Sequence, residues 1–253
     1  MPSTSFSPPL ALASLSGQSD ASWARDGATY AGSAFLGGIA LDAEARTAAR
    51  RLVARGRDEF LPPDPLAFVD QQLAALEDVP IRPGFNVRAT TAEPIREAAE
   101  ICRRRDALLE INAHCRQDEL CTVGCGESLL RDGPRLCRYV NTAAATGATV
   151  GVKVRAEVPG VDLPALARGL EAAGASFVHV DAMDSESVIA DVADATELFV
   201  IANNGVRDEA TVREYAAYGA DAVSVGRPSD DPVTLGRVRG AVDRHLTPGV
   251  RSV

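Results

Sequence analysis

Lysine is almost missing from this sequence. Of its 26 basic residues only Lys153 is not an arginine, and 35 Asp and Glu set the net charge at −9. A surface so acidic and lysine-poor suits a cytoplasm high in salt, and GC-rich coding produces the same arginine bias. Either way the long-range field repels nucleic acid unless salt screens it or a local arginine patch overrides it. No apolar run approaches the ~20 residues of a membrane-spanning helix. No basic residue precedes Arg25, and the apolar stretch from Leu10 to Leu15 is too short for the core of a secretory signal, so the expected location is cytoplasmic. No Cys-x-x-Cys pair occurs among the five cysteines. Their odd number and spacing predict free thiols rather than disulfides, and no metal site.

What is present is a soluble composition, 46% hydrophobic and 24% charged, arranged as short apolar runs alternating with longer helical patterns. Eight runs read as strands: Leu10 to Leu15, Ala34 to Leu41, Gly84 to Val87, Leu108 to Asn112, Thr149 to Val154, Phe177 to Val180, Leu198 to Ala202 and Ala222 to Val225. Between them, apolar residues at three- and four-residue spacing predict helices such as Ala92 to Arg105, Leu163 to Ala173, Glu209 to Tyr218 and Pro232 to His245. Eight strand and helix pairs in 253 residues predict a single-domain α/β fold, a (β/α)8 TIM barrel over residues 1–253. A doubly wound open sheet is the alternative, and it lacks an early Gly-x-Gly-x-x-Gly turn in its favour.

In a TIM barrel the chemistry gathers at the C-terminal ends of the strands. That rule selects Asn86 and Arg88, Asn112 to Cys115, Lys153 and Arg155, Asp181, Asn203 to Gly205, and Gly226 with Arg227. Lys153 interrupts an apolar strand, so its ammonium needs a phosphate, a carboxylate or an electron-rich ring. A structural ion pair with Glu110 or Asp181 is the plain alternative. Asn203, Asn204 and Gly205, then Gly226 and Arg227, follow the last two strands, where backbone amides can cradle a phosphate; ordinary tight turns use the same residues. Cys115, just past a strand and flanked by His114 and Arg116, is the candidate reactive thiol, while Cys102 and Cys137 occupy helical core positions. His179 alternates with apolar neighbours, and a core histidine and a catalytic one are both open.

These segments resemble the tRNA-dihydrouridine synthases. Ile111-Asn-Ala-His-Cys-Arg and Gly124-Cys-Gly-Glu-Ser-Leu-Leu-Arg131 are similar to that family's Asn-x-Gly-Cys-Pro and Gly-Gly-x-Gly-x-x-Leu-Leu. The likeness continues in order through Val152-Lys-Val-Arg155, Ala202-Asn-Asn-Gly205 and Gly219 to Arg227, and it is weak before Phe85. The resemblance implies an FMN-binding barrel that reduces the C5=C6 bond of uracil in tRNA, supplied with electrons by a nicotinamide donor. It places Asn86 and Lys153 against the flavin, and Asn203, Asn204, Gly205, Gly226 and Arg227 around its phosphate. Cys115 becomes the proton donor, with Lys153 beside it in catalysis; Asn112, Arg155 and His179 face the substrate.

The chain departs from the pattern at His114 and Arg116, which replace the family's Gly and Pro, and at Asp181, which stands where the family has His. The family's C-terminal helical tRNA-binding domain is expected to be absent. A free pyrimidine or another small molecule is therefore an alternative substrate. A phosphate-binding barrel with Lys153 as a Schiff base, and a binding protein without catalysis, are the readings without flavin.

Overall fold

A computed structural model describes residues 4–246. Its eight strands are β1 (Leu10–Leu12), β2 (Ser33–Ala40), β3 (Arg82–Arg88), β4 (Leu108–Asn112), β5 (Thr149–Arg155), β6 (Phe177–Asp181), β7 (Phe199–Asn203) and β8 (Ala222–Val225). Each pairs in parallel with its sequence neighbours, and β8 returns to β1, which closes the barrel. The helices are α1 (Ala21–Gly27), α2 (Ala43–Ala54), α3 (Pro65–Ala74), α4 (Ala92–Arg104), α5 (Asp118–Thr122), α6 (Glu127–Arg131), α7 (Gly133–Ala144), α8 (Leu163–Ala172), α9 (Val188–Ala195), α10 (Glu209–Ala217) and α11 (Pro232–His245). The expected (β/α)8 architecture is the one observed. Among the described residues no helix is long and apolar enough to cross a membrane.

Part of the acidic excess goes into helix starts. Asp20, Asp42, Asp64, Asp132, Asp162, Asp208 and Asp231 each cap a helix by accepting a backbone amide from its first turn. Such caps are worth roughly 1 kcal/mol apiece, and they suit the positive end of the helix dipole. Pro65, Pro134, Pro164 and Pro232 fall in first turns, where a missing N–H costs nothing.

Within each strand alternate residues point into the barrel. The lowest inward layer is apolar: Phe35, Leu108, Phe177, Ile201 and Ala222 pack together with Phe6 beneath them. The rings of Phe35 and Phe177 lie 5.7 Å apart. Two inward glycines make room for them, since a Cβ on Gly84 would meet Phe35 at 2.6 Å and one on Gly151 would meet Phe177 at 2.4 Å. The outward residues of the strands join the helices in the main core. A smaller cluster under the loop after β4 holds Leu52, Leu120 and Cys125, with Cys115 against it.

Most strand boundaries fall within a residue or two of expectation, with two instructive differences. The first run is strand only over Leu10–Leu12. Beyond it, the buried Ser19 hydroxyl takes the Leu15 amide at 2.9 Å and donates to the Gly37 carbonyl at 2.6 Å, pulling the chain out of the sheet. Strand β3 extends to Arg88, so Asn86 and Arg88 belong to the barrel wall rather than to the loop beyond it.

Candidate functional site

Above the apolar layer the barrel interior turns polar. Glu110, completely buried on β4, accepts from Asn86 Nδ2 at 2.6 Å through Oε1, and its Oε2 lies 2.6 Å from His179 Nδ1. A carboxylate only accepts, so the imidazole proton sits on Nδ1. Nε2 then accepts from the Ser224 hydroxyl at 2.7 Å, and Ser224 Oγ accepts from Asn203 Nδ2 at 2.7 Å. In the other direction Asn86 Oδ1 accepts from Asn112 Nδ2 at 2.9 Å, and Asn112 Oδ1 takes the amides of His114 and Cys115 at 3.1 and 3.0 Å. One chain of hydrogen bonds thus joins the Cys115 loop to β7 and β8. Burial alone would raise Glu110, but the His179 ring, the Lys153 charge and the Asn86 amide outweigh it and hold the carboxyl below its usual range. Burial, with help from Lys153, pushes His179 down, so the pair is a carboxylate and a neutral imidazole.

Over this layer opens a cavity with two lobes. The larger, about 730 Å³, is lined by Arg88, Asn112, Cys115, Arg116 and Arg155. The smaller, about 470 Å³, is lined by Asn203, Gly205, Ser224 and Gly226. Lys153, His114, Asp181, Asn204 and Arg227 line both, so they mark the junction. His114 Nε2 and Asp181 Oδ2 are 2.5 Å apart, and Asp181 Oδ1 also accepts the Met183 amide. Burial lowers the His114 pKa; it would raise that of Asp181, but the bond to His114 more than offsets it.

Lys153 is 4% exposed. Among the described residues its ammonium has no hydrogen bond and no carboxylate within 4 Å, because Glu110 is taken by His179 and Asn86, and Asp181 by His114. The structural ion pair considered for it is not formed. Glu110 and Asp181 act on it only at longer range, and burial leaves its pKa below the ordinary lysine value.

The structure brings Asn112, Cys115, Lys153, Arg155, Asn203, Asn204, Gly205, Gly226 and Arg227 to the cavity. It does not bring Asn86 or His179 there. Both lie one layer lower with 0% exposure, and their polar atoms are spent on Glu110, Asn112 and Ser224. Neither the flavin contact expected of Asn86 nor the substrate contact expected of His179 finds its side chain on the cavity surface: both lie beneath the floor. Cys102 is fully buried in α4 with its pKa pushed up to about 12 by burial, and Cys137 is half-buried against the core. All five cysteines are unpaired, and among the described residues no group of three or more His, Cys, Asp or Glu converges as metal ligands.

Sequence reasoning gave no site role to Glu110 or Ser224, and it placed His114 on the strand-end rim without its partner Asp181. Glu110 carried the same signal as Lys153, a charge inside an apolar run at an inward position. For His114 and Ser224 the signal lies in partners far along the chain, which periodicity does not reveal.

The cavity residues fit a flavin mononucleotide. A Cβ on Gly205 or Gly226 would meet nothing within 4 Å, so the backbone at the ends of β7 and β8 stands open to the smaller lobe, beside Arg227. Lys153 supplies an unclaimed cation at the junction. A volume of this order suits a cofactor-sized ligand.

No protein-family model matches the chain. An uncharacterized protein of Methanocaldococcus jannaschii is 23% identical to it over 231 residues, 86% of this chain and 88% of that protein. Among solved structures, a FabK mutant from Thermotoga maritima aligns with a TM-score of 0.58 at 15% identity, covering 87% of this chain and 61% of that one. An IMP dehydrogenase/GMP reductase-like protein from Corynebacterium glutamicum aligns with a TM-score of 0.58 at 18% identity, covering 94% and 68%. A chain of the tryptophan synthase complex from Pyrococcus furiosus aligns with 0.57 at 11% identity, covering 94% and 98%. This chain spans about three fifths of the FabK chain's length. At these identities the likeness is one of fold, the TIM barrel.

Proposed function

We propose that the protein is an FMN-dependent oxidoreductase of the dihydrouridine synthase type, which reduces the C5=C6 bond of a uracil ring with electrons from a nicotinamide donor. The observation that carries this reading is Lys153, 4% exposed, whose unpartnered ammonium lines the junction of the two lobes. It stands between the open glycine backbone on one side and Cys115 on the other. Gly205, Gly226 and Arg227 would hold the cofactor phosphate, and Lys153 the electron-rich edge of its ring. Bound FMN would supply hydride to one carbon of the substrate double bond. The Cys115 thiol, at the lobe surface, gives a proton to the adjacent carbon and regains one from solvent through the open mouth. Asn112 fixes the thiol's loop by holding two of its amides.

The test begins with the visible absorption spectrum of purified protein incubated with FMN. Arg227→Ala is expected to weaken binding by roughly the 1.5–3 kcal/mol of a charge-assisted hydrogen bond. Cys115→Ala keeps the flavin spectrum but loses about 10²–10⁴-fold in uracil reduction. Cys121→Ala serves as the control for an ordinary thiol. Absence of FMN binding overturns the flavin assignment, and full activity in Cys115→Ala overturns the proton donor.

A second reading is favoured by the same lysine. Burial lowers its pKa and so enlarges the neutral, nucleophilic fraction that a Schiff base requires. Borohydride trapping of a carbonyl substrate on Lys153, with no flavin bound, decides for that reading.

A further inference from the structure

Two arginines are buried in the wall of the larger lobe, and they are treated differently. Arg88, 3% exposed, meets Glu59 at 2.6 Å and also bonds the Ser16 hydroxyl. Arg155, 5% exposed, reaches only Glu127 Oε2, in a long contact of 3.5 Å from one Nη, while Arg131 holds the other oxygen of the same carboxylate at 2.7 Å. The Nε of Arg155 is buried with no hydrogen-bond partner, as is that of Arg88, so the two arginines differ in their carboxylate partners and not at Nε. A guanidinium withdrawn from water needs an anion in its fork, and leaving it without one is costly.

The place of Arg155 narrows the role of that anion. Along β5 the inward residues Gly151, Lys153 and Arg155 climb the barrel two at a time, about 6–7 Å per step. Lys153 reaches both lobes, whereas Arg155 lines only the lobe that holds Cys115. Arg116, exposed on the Cys115 loop, lines the same lobe. The acidic groups there are engaged: Asp181 by His114, and Asp58 by Gln18 at 2.9 Å. A cationic lobe inside a chain of net charge −9 favours a small anion over a polyanion, since the small ligand feels the local field and the polyanion feels the whole surface.

We infer that the lobe beside Cys115 binds a small molecule carrying a carboxylate or phosphate, which docks in the fork of Arg155 with Arg116 above it. This inference rests on reading the lobe as the substrate site and not on the flavin.

Two matched pairs of probes test it by calorimetry on the purified protein, at low and high salt. Orotate against uracil differs by a carboxylate, and uridine monophosphate against uridine by a phosphate. A uridine-containing single-stranded RNA oligomer is the fifth probe. The anionic member of one pair is expected to bind at least about tenfold tighter than its neutral partner, and the pair that responds identifies the anion. Arg155→Gln should erase that preference while leaving the neutral probe's affinity unchanged. Arg116→Gln, on an exposed loop where folding is not at stake, should reduce it severalfold. No preference within either pair, a preference surviving both variants, or RNA bound tighter than all four small probes through Arg155 overturns the inference. A protein that shows the preference but binds no FMN keeps this inference and loses the flavin. One that binds FMN without the preference does the reverse.

Discussion

Two sets of buried polar residues are stacked inside this barrel, the upper one rising from Lys153, in register with His179, to Arg155 one strand step higher. In the lower, Glu110, Asn86, His179 and Ser224 are all buried, and every one is matched to a neighbour at 2.6 to 2.9 Å. In the upper, Lys153 and Arg155 are almost as buried, yet one has no partner and the other a distant, shared one. Burial is nearly equal in the two layers and both contain ionised groups, so neither burial nor the presence of charge separates structure from site. Satisfaction does. A buried polar group that is paired stabilises the framework, and one that is unpaired lowers stability unless something arrives to complete it. The lower layer also aims the upper: through Asn112 it holds the Cys115 loop, and through Ser224 it ties down Asn203 at the end of β7.

The hardest way to break that contrast is to remove the hub of the paired layer. Glu110→Ala leaves the His179 N–H and the Asn86 amide without acceptors in a dry interior. The expected loss is about 3–5 kcal/mol of unfolding free energy, the range for breaking a buried charged network by deleting one partner. Glu110→Gln, which keeps one acceptor, should recover part of it. Urea denaturation measures both, and a cost below about 1 kcal/mol for the alanine variant would mean the layer is not structural.

How far this division was legible in the sequence follows from the physics of each part. The strands were readable because parallel strands covered on both sides are continuous apolar runs, and a charge at an inward position, such as Lys153, stands out against them. Cys115 and the glycines after β7 and β8 were readable because strand ends are fixed once the barrel is known. What could not be read was pairing. Glu110 and His179 are 69 residues apart, and their contact depends on the register of β4, β5 and β6 together. For the same reason Asn86 looked available for a ligand, when its amide is consumed across the barrel by Glu110 and Asn112. The early end of β1 escaped notice because it is set by one hydroxyl, Ser19, and not by composition.

The upper layer should answer mutation in the opposite sense. Lys153→Met removes an unpaired buried charge while retaining the stem's volume, so stability is expected to hold or to rise, as often happens when buried charge is replaced by a hydrophobe. Activity should fall by about 10²–10³-fold, the usual loss when a preorganised electrostatic contact is deleted. Thermal unfolding and turnover, measured on one preparation, separate the two effects. A variant that unfolds while its remaining folded fraction works normally would move Lys153 into the structural layer.

The smallest effect sharpens the comparison through pH. His179 lies in the lower layer, faced by Glu110 from β4 and Lys153 from β5; His114 lies in the upper, faced by Asp181 from β6 and by Lys153 and Arg155 from β5. Burial holds both rings below the ordinary histidine value of about 6.5. As pH falls below that value the unfolded chain takes up protons that the folded one refuses, so stability declines, by at most about 1.4 kcal/mol per pH unit for each ring. Glu110 and Asp181, both held low, contribute stability above their unfolded values and lose it only in more acid solution, so they do not cause a decline between pH 6.5 and 5.5. Lys153, lowered by burial, begins to cost stability as soon as pH falls below the ordinary lysine value. The two rings differ in enclosure, since the His179 side chain has 0% exposure and that of His114 has 31% at the cavity mouth, where water screens its charge. His179 should therefore supply the larger share. Urea unfolding of His114→Gln at pH 7.5, 6.5 and 5.5 is expected to keep more than half of the parent's acid slope. A flat profile in that variant would assign the sensitivity to the cavity and not to the paired layer beneath it, and the contrast between the two layers would fail at the histidines.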